Sequence, residues 1–164
     1  MKAQSDDALP GRVARDLAAE VARGLPALSA IEEGHAGQGR APGKWSPKQI
    51  LGHLIDSAVN NHHRFVRAQL APPLVFPGYE QDGWVAVQGY QDRPWAELTA
   101  LWAALNRHLA HVIGRIDPRA LETECTIGSD PPVTLRFVAE DYVRHLRHHV
   151  AQILEPGAAS GKAH

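Results

Sequence analysis

Apolar residues recur every three or four positions through four long stretches of this chain, and Pro/Gly-rich segments separate the stretches. That period belongs to amphipathic helices. The first runs roughly from Gly11 to Glu32 with Leu17, Val21, Leu25 and Leu28 as its stripe, and Gly24 and Pro26 are predicted to bend or interrupt it. Residues Gly34 to Lys44 read as a loop. The second helix has the clearest start: Ser46-Pro47-Lys48-Gln49 supplies a capping hydroxyl, a proline at the first helical position and a glutamine three residues after the cap. Its apolar face reads Leu51, Leu54, Ile55, Ala58, Phe65 and Val66, and it ends before Pro72-Pro73. A long aromatic connection follows, with a short helix predicted over Glu80–Gln88. The third helix starts near Pro94, carries Leu98, Leu101, Trp102, Leu105, Leu109, Val112 and Ile116, and stops at Asp117-Pro118. The linker Arg119–Pro132 is irregular, with one extended piece at Cys125–Ile127. The fourth helix spans about Thr134 to Glu155. Strand-like alternation is nearly absent, so the pattern predicts an all-α four-helix bundle.

Bulk properties narrow the function classes. At 164 residues the chain reads as one domain over 1–155, with a small-residue tail, 156–164, predicted to be disordered. A formal charge of −1 gives no reason to expect nucleic acid or an anionic membrane as partner. No apolar run is long enough to span a bilayer, and the first residues lack the apolar core of a signal peptide. A single cysteine, Cys125, excludes an internal disulfide and fits a reducing cytoplasm, the expected location. No local motif activates Cys125, which reads as a small buried residue.

Ten histidines are many for this length. His35 falls in the Gly-rich loop and His164 in the tail. The fourth helix concentrates the rest of the interest. Leu135, Val138, Tyr142, His145, His149 and Gln152 form an inward stripe, parallel to one through Ala139, Val143, Leu146, Val150 and Ile153. His145 and His149, four apart, therefore stand about one turn apart on one face, where an ordinary bundle places apolar residues. Buried imidazoles need a partner for each nitrogen. Either hydrogen bonds satisfy them in the core, or they grip a metal ion. His148 lies about 100° round from His149 and reads as a flanking residue. On the second helix, His53 shares a polar stripe with Asp56, Ser57, Asn60 and Arg64. A helical wheel sets that stripe opposite the apolar face, so periodicity alone makes it solvated surface.

Three motifs bear on this choice. The segment from Gly43-Lys-Trp45-Ser46 through Gly-His53-Leu-Ile-Asp56-Ser57 to Arg64-Phe65 resembles the second-helix signature of the DinB-like superfamily, and the likeness is greatest to its YfiT-like branch. Tyr79-Glu-Gln-Asp-Gly-Trp84 resembles that branch's aromatic loop, and His145-Leu-Arg-His148-His149-Val-Ala-Gln-Ile153 its final-helix motif. The resemblance covers roughly Gly43 to Ile153, with the motifs in the right order. It implies a DinB/YfiT-like bundle with a divalent metal held by three histidines, which fall here on His53, His145 and His149. The branch is described as metal-dependent hydrolases and linked to bacillithiol transferases, and dimers are common in the family.

Three imidazoles leave a divalent ion coordinatively open, as catalytic zinc sites are. Such an ion can acidify bound water or deprotonate a bound thiol. Two enzymes follow: a hydrolase of amide or ester bonds, and a thiol-dependent S-transferase acting on small electrophiles, which the resemblance favours. A non-catalytic, metal-stabilised binding or stress-response module is the third reading. The expected cofactors are Zn, Ni, Fe or Mn and a low-molecular-weight thiol. Expected partners are a small-molecule substrate and a second copy of the chain, which the apolar excess of the first and third helices permits. Asp56 and Asp141 lie within a turn of predicted ligands and can orient an imidazole, or be surface carboxylates. Asn60 and Arg64 are further candidates: Arg64 either holds a carboxylate of the substrate or thiol, or makes a surface salt bridge. Tyr79 and Trp84 are expected to cover the site, and Trp45 to anchor the second helix's N-terminus.

Overall fold

The computed structural model describes residues 3–155, with side chains from residue 9 onward. The tail predicted over 156–164, His164 included, lies outside the described residues. Four long helices form a bundle: α1 (Ala3–Ser29), α3 (Pro47–Leu70), α5 (Trp95–Gly114) and α6 (Leu135–Leu154). Two short ones, α2 (Glu33–Ala36) and α4 (Gln81–Gln88), sit in the connections. The all-α bundle expected from the periodicity is the observed class. Among the described residues no helix is long and apolar enough to cross a membrane.

The main helix contacts run α1–α5–α3–α6 and back to α1. Helices consecutive along the chain are therefore not all neighbours: α1 and α3 are diagonal, and so are α5 and α6. Diagonal steps need long connections, and residues 30–46 and 115–134 supply them. At one end of the bundle three connecting pieces pair as a small sheet. Strand β1 (Leu74–Phe76) runs parallel to β2 (Glu124–Ile127), which is antiparallel to β3 (Val133–Thr134). The extended piece expected near Cys125 is thus real, but its two partners were not foreseen. Strands of two to four residues are too short to show alternation, and only their pairing, Leu74 against Cys125 and Cys125 against Val133, creates them. Cys125 is fully buried in that sheet.

Other boundaries shift for identifiable reasons. Helix α1 begins well before Gly11 and runs unbroken through Pro10, Gly24 and Pro26. Its buried stripe continues N-terminally as Leu9, Val13, Leu17 and Val21, so core packing extends the helix past the proline. Gly24 is a contact point rather than a bend, because a Cβ there would stand 3.1 Å from the Trp102 ring. His35 lies in α2, not in a loop, and Leu101 is 39% exposed, outside the core stripe.

Three groups of polar contacts, around Ser46, Glu33 and Arg40, fix the ends that carry the site. The Ser46 capping box forms in both directions: the Gln49 amide N–H donates to Ser46 Oγ, and the Ser46 N–H to Gln49 Oε1. Ser46 Oγ also donates to Gln91 Oε1 at 2.6 Å. Glu33 pairs with the buried Lys48 and accepts the Trp95 backbone N–H at 2.8 Å, which ties α2 to the starts of α3 and α5. The guanidinium of Arg40 donates to the carbonyls of Gln152 and Ile153, each at 2.5 Å, and so caps the end of α6. Substituting Ser46→Ala removes the cap and the Gln91 contact together. The unfolding free energy is expected to fall by about 1–2 kcal/mol, read as a lower urea midpoint at unchanged slope.

Candidate metal centre

Helix α3 is buried on all sides from Ile50 to Ala58. Its polar stripe is not solvated surface: His53 is 1% exposed, and Asp56, Ser57, Asn60 and Asn61 are buried too. The wheel-based expectation fails because α3 is covered twice, by α5 on its apolar side and by α6, α4 and the turn at Tyr90–Asp92 elsewhere. Hydrogen bonds within the helix make the burial tolerable. Asn60 Nδ2 donates to the Asp56 carbonyl and Asn61 Nδ2 to the Ser57 carbonyl, both at 2.9 Å.

Across the α3–α6 contact three imidazoles converge. His53, His145 and His149 each offer a ring nitrogen, and these atoms lie within 4.8 Å of one another. His53 Nε2 and His145 Nε2 are 3.1 Å apart. Nitrogens at about 2.0–2.1 Å from a tetrahedral zinc ion stand about 3.3 Å apart, so this pair is already at ligand spacing. Burial lowers all three pKa values, and mutual repulsion deepens the effect: His53 falls to about 3 and His145 to about 4, while His149 is lowered against the hydrogen bond of Gln152. The rings are therefore neutral near pH 7, with lone pairs available. Three neutral imidazoles facing one point fit a divalent ion of intermediate softness.

The rings are held by different means. His149 Nδ1–H donates a hydrogen bond to Gln152 Oε1 at 2.8 Å, which leaves the lone pair on Nε2. The Nδ1 of His53 is buried without a partner, and packing fixes this ring instead: the Trp45 ring sits against it, centroids 5.3 Å apart. Trp45 thus does more than anchor a helix end. Gln152 could have been suspected from its place one turn beyond His149 on the inward stripe, whereas no periodicity relates Trp45 to His53. His148 is exposed and outside the trio, its ring 5.1 Å from that of His149.

Neither carboxylate candidate bonds to an imidazole. Asp56 Oδ1 accepts from Tyr90 Oη at 2.7 Å and Gln88 Nε2 at 2.6 Å, while Oδ2 is buried without a partner. Burial raises the pKa of Asp56 against those two bonds. Asp56 thereby fastens the α4 segment to α3. Gly52 makes room for this, since a Cβ there would fall 2.2 Å from the Tyr90 ring. Asp141 pairs with Arg144 and reaches His145 only through its charge.

His145 also opens onto a cavity of about 330 Å³ between α3, α6, the small sheet and the aromatic loop. Ser57, Asn61, Arg64, Tyr79, Asp141 and Tyr142 stand in its wall. Arg64 is half-buried and makes no surface salt bridge. Asn60 is absent from the wall and serves α3 internally. Burial lifts the Tyr79 phenol to about 12, so it stays protonated. The Trp84 ring meets that of Tyr79 at a tilt, centroids 4.9 Å apart, but Trp84 itself is partly exposed and does not line the cavity.

A family model described as the DinB superfamily matches residues 14–153. Among solved structures, YfiT from Bacillus subtilis superposes with a TM-score of 0.78 at 21% identity, covering 89% of this chain and 84% of that one. It is described as "a probable metal-dependent hydrolase with an unusual four-helix bundle topology". At that identity the likeness carries the fold. A search of curated proteins returns no match.

The depressed histidines make a thermodynamic prediction for metal-free protein. Unfolded histidines titrate near 6.5, so below that pH the unfolded chain binds protons that the folded cluster refuses. Stability is full above about pH 6.5 and is lost progressively as pH falls towards about 4 and 3, the folded values of His145 and His53. Urea midpoints measured from pH 7.5 to 4.5 are expected to drop in the native chain, and to drop less steeply in a His53→Gln/His145→Gln variant.

Proposed function

This chain belongs to the DinB superfamily, and from that premise we propose that it is a divalent-metal-dependent enzyme that transfers a small thiol to an electrophile. The observation that carries the reading is the trio of neutral imidazoles opening onto a cavity through His145. His53 from α3 and His145 and His149 from α6 would hold the ion. When bound, such an ion supplies Lewis acidity that lowers the pKa of a coordinated thiol or water. A cavity reaching one ligand favours catalysis over a purely structural tie, because structural sites are closed by four protein ligands.

The chain's own groups favour thiol transfer. Amide or ester hydrolysis calls for a residue that takes a proton from water and returns one to the leaving group. Among the described residues no carboxylate hydrogen-bonds to the trio, and Asp56 is committed to Tyr90 and Gln88. Thiol addition asks for less: an ionised sulfur, an electrophile beside it and a donor for the negative charge that develops. Tyr79, protonated and in the cavity wall, supports that last role. Hydrolysis is the second reading. Asp141 favours it, as a carboxylate in the cavity wall one turn before His145, and so does the description given to YfiT.

Protein purified without a histidine tag is expected to carry about one divalent ion per chain by elemental analysis, and His53→Ala or His145→Ala to abolish this. The metal-loaded protein should conjugate small thiols to an activated aryl halide, with a loss of at least about two orders of magnitude in either variant. Release of amide or ester products at a higher rate than conjugation would transfer the assignment to the hydrolase.

A further inference from the structure

We infer that the cavity wall around Arg64 is a carboxylate-binding subsite, which makes the substrate or thiol of this enzyme a small monoanion. The inference deepens the metal-enzyme reading, but rests on it only for which atom reacts. The binding itself is independent of metal.

Arg64 is a cation withdrawn from water without a counter-ion. Its contacts are Nη1 with Asn61 Oδ1, long at 3.4 Å, and the face of the Phe76 ring, 5.3 Å from the guanidinium carbon. Its Nε is sealed in the wall and has no acceptor. Burial lowers its pKa, and the titratable groups that act on it most are the Tyr79 phenol and the Cys125 thiol, with no carboxylate among them. Elsewhere in the described residues arginines at the surface find acids readily: Arg12 with Glu140, Arg93 with Glu97, Arg119 with Asp117, Arg144 with Asp141. Half-buried Arg136 likewise pairs with Glu122, whereas half-buried Arg64, in the wall of the cavity that His145 opens onto, has no acid partner, and burying an uncompensated charge is costly. A ligand carboxylate entering the cavity would supply the missing acceptor.

The surroundings select the kind of anion. Two neutral groups that can donate share the wall with Arg64, the Ser57 hydroxyl and the Tyr79 phenol, while the Asn61 amide nitrogen is already spent on Ser57. The two acids of the same cavity do not neutralise it, since Asp141 is paired with Arg144 and Asp130 is exposed. One guanidinium plus neutral donors matches a planar, singly charged carboxylate, which the arginine fork binds well. A phosphate dianion would keep about one charge uncompensated.

Position sets the size. Arg64 follows His53 by eleven residues, close to three full turns, so both face the same way with Cα atoms about 16 Å apart along the axis. Helical side chains lean back towards the N-terminus, which brings the guanidinium nearer the trio. The ligand then spans on the order of 10 Å, more than a two-carbon acid and within the cavity's 330 Å³.

Matched pairs that differ only in charge test this. Hexanoate and hexanamide are titrated into metal-free protein, followed by amide and Trp84 indole chemical shifts. 6-Mercaptohexanoate and 6-mercaptohexanamide are compared as substrates of the metal-loaded protein. The acid is expected to bind at least about tenfold more tightly than the amide, and to show the lower KM. Arg64→Gln should erase the preference and Arg64→Lys retain part of it, with melting curves checking that each variant folds. Equal binding of acid and amide to the native protein overturns the inference, as does a preference that survives in Arg64→Gln, or tighter binding of hexyl phosphate than of hexanoate. A hexanoate preference in a protein that neither holds metal nor conjugates thiols would leave the subsite standing and remove the proposed reaction.

Discussion

The polar face of α3 is buried, and most of what distinguishes this bundle follows from that constraint. An α-helix that hides His53, Asp56, Ser57, Asn60 and Asn61 as well as its leucines must find a partner for each polar atom or leave it unsatisfied. The asparagines turn back onto their own helix. Asp56 reaches across to Tyr90 and Gln88, and so recruits the short α4 segment as a cover. His53 alone points its Nε2 outward, into the contact with α6, where His145 and His149 meet it.

The same burial sets the chemistry. Imidazoles in water divide between charged and neutral forms near pH 6.5. Packed together and largely withdrawn from water, all three have lowered pKa values and favour the neutral form, which is the state a metal requires. The site is held from both ends. Arg40 caps the last turn of α6, where Gln152 orients His149, and the Ser46 capping box fixes the start of α3, where Trp45 leans on His53. Neither device touches the reacting region, yet both determine where two of the imidazoles point.

Topology places the cavity. Because α1 to α3 and α5 to α6 are diagonal steps, their connections are long and cross the bundle's ends. The connection before α6 pairs with the one after α3 as a small sheet, and this closes one side of the space beside His145. Arg64 lies along that wall, half-covered by Phe76 from the sheet's first strand. A bundle with three short loops would have neither the sheet nor the enclosed guanidinium.

Much of this was legible in the residues themselves. Period and caps determined the four long helices and the short one over Gln81–Gln88, because both are local properties of the chain. Spacing of four put His145 and His149 on one face, since helical geometry needs no tertiary information. Whether His53 faced water or metal was not local. A wheel can rank the two faces of α3 by polarity, but it cannot see that α6 and the Tyr90 turn cover the polar one. The resemblance to the DinB-like superfamily selected His53 where the wheel did not. Asp56 against Tyr90, Trp45 against His53, the strand register and the unpaired state of Arg64 all join residues distant in sequence. Only the packed chain decides them, because each depends on what a third element leaves uncovered.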